Sequence, residues 1–159
     1  MSAEAVIPVI EVVRSGQVGA SPERVWHVVA KPERAPEWLN SAESVEVISG
    51  AGCGQRWRQY SRWGKRRSEV DVEIVEYRRP LVLAWRHLAE RLDGKPAPVF
   101  AASTVFRIEL EPSGEGTLVR LRSVQEPASA VRGLLIKLFG SKEIARGMER
   151  SLVRLADVF

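Results

Sequence analysis

The side chains that could do acid–base, nucleophilic or metal chemistry are few and lie far apart in the sequence. The chain has two histidines, His27 and His87, and one cysteine, Cys53. They form neither an HxxxH nor a CxxC spacing, whereas a zinc site needs at least three convergent protein ligands. We therefore expect no metal site and no cofactor.

His87 is the candidate for proton transfer, because histidine is the side chain that titrates near neutral pH. The alternative is a solvated, inert histidine near a strand end. An acid–base or nucleophilic reaction could also draw on Cys53, Glu126 or Arg86. A reactive Cys53 would need a histidine beside it, and its place between two glycines favours a turn residue instead.

The glycine-rich run Gly50-x-Gly52-x-Gly54 does not indicate a nucleotide site. It leads into a predicted strand, so it lacks the helix N-terminus that binds phosphate. Neither GxGxxG nor GxSxG occurs in the sequence. The run is therefore interpreted as a turn or bulge between strands.

Alternation with a period of two predicts the strands that must position these side chains. In residues 67–77, Val70, Val72 and Ile74 alternate with acidic residues, which indicates a sheet with one wet face. Residues 90–98 are rich in glycine and proline and are expected to form a loop. The predicted strands are residues 6–18, 43–49, 55–62, 67–77, 81–88, 99–111 and 117–125.

Helix signals flank this run of strands. Ser21 can cap a short helix, and Pro22 suits its first position. Pro32 ends that helix, and a second short one leads to Trp38. From Ala128 the apolar period becomes helical, with a kink expected at Gly140-Ser141. The apolar stripe of this last helix is Ile144, Met148, Leu152, Leu155 and Phe159.

These elements predict one α+β domain spanning residues 1–159. Strands joined by short turns form an antiparallel meander, and its apolar face must be covered. Only the C-terminal helix is long enough to cover it. A helix cannot touch a curved sheet everywhere, so we expect an apolar cavity between them, of the kind that binds small molecules.

Five segments in order and spacing point to a known family. They are ASPERVWHVVAKPERAPEWL, the Gly52-x-Gly54 turn, EVDVEIVEYRRPLVLAWR, FRIELEPSGEGTLVRLR and the terminal helix. Together they resemble the START-like (SRPBCC) superfamily, and within it the polyketide cyclase/dehydrase and lipid-transport group. The resemblance implies a helix-grip fold, with a curved antiparallel sheet of about seven strands around a long C-terminal helix. Two short helices follow the first strand.

The cavity lining is predicted from inward strand positions and from the last helix. The resemblance adds Trp38, because relatives often carry an aromatic there that closes one end of the cavity, and packing under the loop is the alternative role for this residue. No fixed catalytic motif defines the family, so no catalytic residue is transferred by matching. The candidate ligand-binding residues are Trp38, Trp57, Gln59, Trp85, His87, Thr104, Phe106, Ser123, Gln125, Met148 and Leu152.

Three functions fit this sequence. The favoured one is binding of a small hydrophobic molecule such as a lipid, a quinone or a polyketide-like aromatic. The first alternative is a polyketide cyclase or dehydratase that uses the same cavity with His87 as its weak catalytic candidate. The second alternative is a protein-interaction module that uses Trp63 and the basic hairpin around it.

Composition and charge limit the possible partners. The chain has 159 residues, is 45% hydrophobic and carries a net charge of +4. Arg62, Lys65, Arg66 and Arg67 cluster beside Trp63, which we interpret as a solvated hairpin, with contact to an anionic membrane surface or acidic partner as the alternative. We expect no nucleic-acid partner. No secretory signal and no apolar run of ~20 residues is found, so we expect a cytoplasmic protein.

Overall fold

Strands and helices follow one another in the order that the sequence predicts. The computed structural model describes residues 7–159, and Val6, the predicted start of the first strand, lies outside the described residues. The helices are α1 (Pro22–Val29), α2 (Ala35–Trp38), α3 (Ala130–Leu135) and α4 (Ser141–Asp157). The strands are β1 (Ile10–Val18), β2 (Ser44–Ser49), β3 (Arg56–Trp63), β4 (Arg66–Arg78), β5 (Val82–Leu92), β6 (Lys95–Pro96), β7 (Ala101–Ser113) and β8 (Gly116–Pro127).

The strands form one eight-stranded antiparallel sheet. Its order is β1-β8-β7-β5-β4-β3-β2, with β6 paired to β5. Strands that are consecutive in the sequence are neighbours along most of this path. Strand β1 lies at one edge and pairs with β8. The predicted helix-grip fold is confirmed, because this sheet holds α4 against one face and carries short helices after β1.

The prediction of a loop over residues 90–98 is wrong for its first residues. Strand β5 continues to Leu92 and turns back into β6, with Arg91 opposite Pro96. Asp93 and Gly94 both have positive φ, at 52° and 78°, which allows the tight turn between the two strands. Arg91 also hydrogen-bonds acidic side chains of β4, which extends the pairing of β5 beyond the apolar run.

The short helices form where the capping signals predict them. The Ser21 hydroxyl accepts a hydrogen bond from the Arg24 amide at 3.4 Å, and Pro22 occupies the first turn of α1. A 3-10 turn, Pro32–Arg34, then leads directly into α2. Helix α1 buries Val25, Trp26, Val28 and Val29.

The main core lies between α4 and the inner face of the sheet. Helix α4 contributes Met148, Leu152 and Leu155, which are at most 7% exposed. The sheet contributes alternating residues from six of its strands. Its most deeply buried members are Val18, Val72, Leu83, Ile108 and Val119.

The last helix is not uniformly α-helical. Between α3 and α4, residues Ile136–Gly140 form a π-helical turn. This turn ends at Gly140, and the kink predicted at Gly140-Ser141 stays a prediction. Such turns interrupt the regular spacing of side chains along a helix.

The outer face of the sheet carries cross-strand ion pairs. Asp71 on β4 accepts hydrogen bonds from Arg58 on β3 at 2.7 Å and from Arg91 on β5 at 2.9 Å. Glu73 bonds Arg56 and Arg86 in the same way. The wet face expected from the alternation of β4 is therefore a charged network.

Gly116 provides a test of the β1–β8 packing. A Cβ at this position would overlap the carbonyl oxygen of Val18, so the backbone of Gly116→Ala would have to shift. We expect Gly116→Ala to lower the free energy of unfolding by about 1–3 kcal/mol, as overpacking does, measured by urea unfolding. Gly19→Ala is the control, because nothing lies within 4 Å of its Cβ. Equal stability of the two variants would contradict the proposed crowding.

Asp71 provides a test of the outer network. Burial by itself raises the pKa of Asp71, but hydrogen bonds from Arg58 and Arg91 outweigh it and hold the pKa below its usual range. A lowered folded-state pKa stabilises the fold above the unfolded pKa of about 4, and this contribution disappears as the pH falls through the folded pKa.

We therefore expect Asp71→Asn to cost about 1 kcal/mol at neutral pH. The difference from the wild type should shrink as the pH falls below about 4. Urea unfolding at several pH values measures it. Glu115→Gln, which changes an exposed carboxyl in the β7–β8 turn, should show no such trend. A deficit of Asp71→Asn that is independent of pH would contradict the role given to its charge.

Candidate functional site

A cleft of about 650 Å³ opens at one end of the sheet, beside α3 and the start of α4. Its most buried lining residues are Thr104 and Ile136, which are 9% and 5% exposed. Its rim includes the exposed side chains of Trp63, Val99 and Phe139. The cleft is therefore walled by the sheet on one side and by the last helix on the other.

The connection from β6 to β7 closes one side of this cleft. Ala97, Pro98, Val99 and Phe100 line it. Arg132 of α3 donates a hydrogen bond to the Val99 carbonyl, and its guanidinium lies 5.9 Å from the centroid of the Phe100 ring. Helix α3 and this connection are thus held together across the opening.

His87 lies on the cleft wall and is oriented by a carboxylate. Its Nδ1 lies 2.7 Å from Oε1 of Glu90, and its ring stacks on Phe106 with centroids 5.4 Å apart. The hydrogen bond from His87 lowers the pKa of Glu90, although burial opposes it, so Glu90 is ionised. A carboxylate can only accept, so Nδ1 of His87 carries a proton, and Nε2 is the ring nitrogen left for a further partner.

The Nε2 atom of His87 has no hydrogen-bond partner among the described residues. It is buried, and no hydrogen bond reaches it from the described residues 7–159. Buried polar atoms are usually hydrogen-bonded, and an exception calls for an explanation such as a ligand or water. The unpartnered atom belongs to a residue of the cleft wall.

Two further polar side chains lie on the neighbouring strands. Thr104 of β7 and Gln125 of β8 are direct partners in the register, and Gln125 Nε2 donates to Thr104 Oγ1 at 3.4 Å. Gln125 Oε1 is buried, and within residues 7–159 it has no partner either. His87, Thr104 and Gln125 therefore form a polar group in a mostly apolar cleft.

Of the predicted ligand-binding residues, only His87, Thr104 and Gln125 line this cleft. Phe106 lies behind them, stacked between His87 and Trp85, with its ring centroid 6.1 Å from that of Trp85. The others lie in the core away from the cleft lining, and their contact with a ligand stays a prediction. They are Trp38, Trp57, Gln59, Trp85, Ser123, Met148 and Leu152.

The polar members of that core set differ in their hydrogen bonding. Trp57 Nε1 donates to Gln59 Oε1 at 3.2 Å, and Gln59 Nε2 donates to Ser41 Oγ at 3.2 Å. Trp38, expected as a cavity lid, is 1% exposed, and its Nε1 has no partner among residues 7–159. Gln59 is thus accounted for by internal bonds.

The other reactive candidates lie outside the cleft. Cys53 is an exposed free thiol in the turn before β3. Arg86 is bonded to Glu73 on the outer face of the sheet. Glu126 is exposed and does not line the cleft.

Sequence reasoning missed the helical wall and the partner of His87. Leu135, Ile136, Phe139 and Ile144 form that wall, but they appear in the sequence as ordinary helix residues. Glu90 falls in the predicted loop, although it is only three residues from His87 in the sequence. Recognising that β5 continues past His87 would have revealed the pair.

Two kinds of feature are absent from the described part of the chain. Among residues 7–159, no group of three His, Cys, Asp or Glu side chains is close enough to hold a metal ion. No helix within those residues is long and apolar enough to cross a membrane.

Solved structures share this architecture at low sequence identity. A Thermus thermophilus protein, TTHA0849, is 21% identical with a TM-score of 0.70, over 94% of this chain and 95% of that one. Protein MLL2253 from Mesorhizobium loti is 20% identical with a TM-score of 0.68, over 93% and 95%. The major latex-like protein 151 of Panax ginseng is 12% identical with a TM-score of 0.64, over 89% and 97%. These similarities show the fold.

The family follows from the sequence itself. No curated protein matches the chain. The profile of the family described as polyketide cyclase / dehydrase and lipid transport matches residues 9–159, which is nearly all of it. The chain therefore belongs to the polyketide cyclase / dehydrase and lipid transport family.

Proposed function

We propose that this protein binds a small, mainly apolar molecule in the cleft beside α3, with a polar end of the ligand against His87. The single observation that carries the proposal is an apolar cleft whose wall includes His87, a residue with a buried ring nitrogen that has no partner within residues 7–159. A volume of about 650 Å³ lies within the range of small-molecule sites. The family, which includes lipid transport, supports the same conclusion.

The hydrogen-bonding groups of the cleft wall indicate which polar group the ligand should carry. With its Nδ1 proton engaged by Glu90, His87 has Nε2 left for a ligand, as an acceptor in the neutral ring or as an N–H donor in the protonated ring. A ligand hydroxyl can both donate and accept, so it would pair with either form and remove the cost of an unsatisfied buried polar atom, which is about 1–3 kcal/mol. A hydroxylated aromatic or a hydroxyl-bearing lipid therefore fits better than a quinone, whose carbonyls only accept and pair with the protonated form alone.

Filling the cleft tests the binding site. Ala102 lines it without contributing bulk, so Ala102→Trp should occupy the space and weaken binding of the fluorescent dye ANS by about tenfold or more, or 1.4 kcal/mol. Fluorescence titration measures the dissociation constant. Ala51→Trp, which places the same side chain in an exposed turn, is the matched control.

Equal dye binding by Ala102→Trp and the wild type would place the apolar site elsewhere. Native mass spectrometry of the freshly purified protein then identifies any retained molecule. A hydroxylated compound lost in Ala102→Trp but kept in Ala51→Trp supports the proposal, and a retained compound without a polar end contradicts the role given to His87.

The second candidate function is catalysis in the same cleft. The observation that favours it is the His87–Glu90 pair, in which a carboxylate orients an imidazole with its free Nε2 in the cleft wall. This arrangement suits a general base. Nε2 would take a proton from a carbon next to a ligand carbonyl and leave an enolate, from which cyclisation or dehydration proceeds. Where neither follows, the imidazolium returns a proton to that carbon, which is proton exchange.

Proton exchange tests this second function without knowledge of the substrate. If the pair is catalytic, the protein should speed deuterium uptake by the aromatic ketone α-tetralone in D₂O, followed by NMR. General-base contributions are about 10²–10⁴-fold, so His87→Gln should remove the acceleration. Glu90→Gln should reduce it, while Glu126→Gln, at an exposed carboxyl outside the cleft, should not. No acceleration by the wild type would leave binding as the function.

A further inference from the structure

The exposed face of α3 and the π-helical turn, next to the cleft, is an apolar surface that lies mostly outside the proposed ligand site. Val131, Leu134 and Leu138 are 72%, 57% and 49% exposed, and none of them lines the cleft. Phe139, at 67%, projects at the cleft rim together with Trp63, at 68%. Exposed apolar patches of this kind mark interaction sites.

The π-helical turn explains why this apolar stripe faces outward. Leu138 and Ala145 are seven residues apart, and in an uninterrupted α-helix they would lie within about 20° of each other. The stripe of α3 would then continue the buried stripe of α4. One extra residue in the π-helical turn rotates α3 by about 100° relative to α4. As a result α3 buries only Gly133, whereas α4 buries Ala145, Met148, Leu152 and Leu155.

Basic residues outnumber acidic ones around this surface. Residues 128–142 contain Arg132, Lys137 and Lys142 and no acidic residue, and Glu143 follows them on the cleft lining. The tip of the β3–β4 hairpin, which carries Trp63, contains Arg62, Lys65, Arg66 and Arg67 in residues 62–67, and of these Arg66 is paired with Asp93 at 3.1 Å. Both sides of the cleft opening therefore combine exposed apolar groups with basic ones.

We propose that this surface, defined as α3, the π-helical turn and the β3–β4 hairpin tip, docks onto an anionic lipid bilayer with the cleft opening toward it. An apolar helix face with flanking Lys and Arg binds the membrane interface by apolar burial together with attraction to anionic headgroups. Trp63 suits the headgroup region, where one side of its ring is apolar and the indole N–H stays wet.

Charge favours a bilayer over a second copy of the chain. A symmetric dimer through this face would place the same patch of each copy against the other. Basic residues would then oppose basic residues, which costs free energy. Anionic lipid headgroups complement them instead. The proposal concerns the surface alone and stands independently of which molecule the cleft binds.

Co-sedimentation with lipid vesicles tests the proposal on the full chain. We expect binding to vesicles of phosphatidylcholine mixed with phosphatidylglycerol, and little binding to phosphatidylcholine alone. Raising the salt from about 0.05 to 0.5 M should weaken it, because screening shortens the reach of the charges. Absence of binding to the mixed vesicles overturns the proposal.

Three variants with matched controls locate the contact. Leu134→Asp, Phe139→Asp and Lys137→Glu should each weaken vesicle binding by about tenfold or more. Leu134 does not line the cleft, so its variant reports on the docking surface alone. Val153→Asp changes an exposed apolar residue of α4, 61% exposed, and Lys31→Glu reverses an exposed charge outside both basic segments. Both controls should bind as the wild type does.

Two results would contradict this assignment. In one, Phe139→Asp binds vesicles as well as the wild type, or Val153→Asp loses binding equally. In the other, light scattering shows a dimer that Phe139→Asp dissociates while vesicles capture nothing, which assigns the surface to a second copy. Thermal unfolding of each variant shows that the comparison is made between folded proteins.

Discussion

One amphipathic helix must cover the inner face of a strongly curved sheet, and the rest of the structure depends on how far it reaches. Helix α4 packs Met148, Leu152 and Leu155 into the core, and it lies closest to β1 and β8. Toward the far end of β5 and β7 the helix no longer fills the space. The cleft forms there because α3 and the β6–β7 connection make a wall without filling the interior.

Hydrogen bonding on the inner face differs from place to place. In the core, Trp57, Gln59 and Ser41 bond one another, and the Thr117 hydroxyl donates to the Ala20 carbonyl. Within residues 7–159, Trp38 Nε1 and Ser123 Oγ are buried in the core without partners, and His87 Nε2 and Gln125 Oε1 are the unpartnered atoms of residues that line the cleft. Unsatisfied buried polar atoms destabilise a fold. The place of His87 and Gln125 in the cleft wall is therefore the physical reason to connect these two residues with a polar ligand group.

Local rules in the sequence predict most of the fold. Alternation in β4 and the Ser21-Pro22 start of α1 depend on neighbouring residues only, so they can be identified without the structure. The inward face of β3, β5, β7 and β8 follows from the same alternation. The end of β5 does not, because the strand continues through Arg91 by means of ion pairs to β4 that involve residues twenty or more positions apart.

The candidate site was less predictable than the fold. Alternation brings His87, Thr104 and Gln125 to one face, but it does not say where along that face the helix stops. The apolar spacing of Val131, Leu134 and Leu138 matches that of α4, so nothing in the pattern indicates that a π-helical turn separates them. The difference between the core and the cleft thus depends on the rotation of α3 relative to α4, which is set by packing of the whole chain.

The interrupted helix also divides the molecule into regions of unequal stability. Helix α4 can open only with the core, since its buried side chains pack against the sheet. Helix α3 buries little beyond Gly133 and is held mainly by Ile136 and by the bonds of Arg132 to the β6–β7 connection. Segments with few buried apolar contacts open at a lower free energy than the global fold. The helical wall of the cleft is therefore expected to open at a lower free energy than the sheet that forms its other wall.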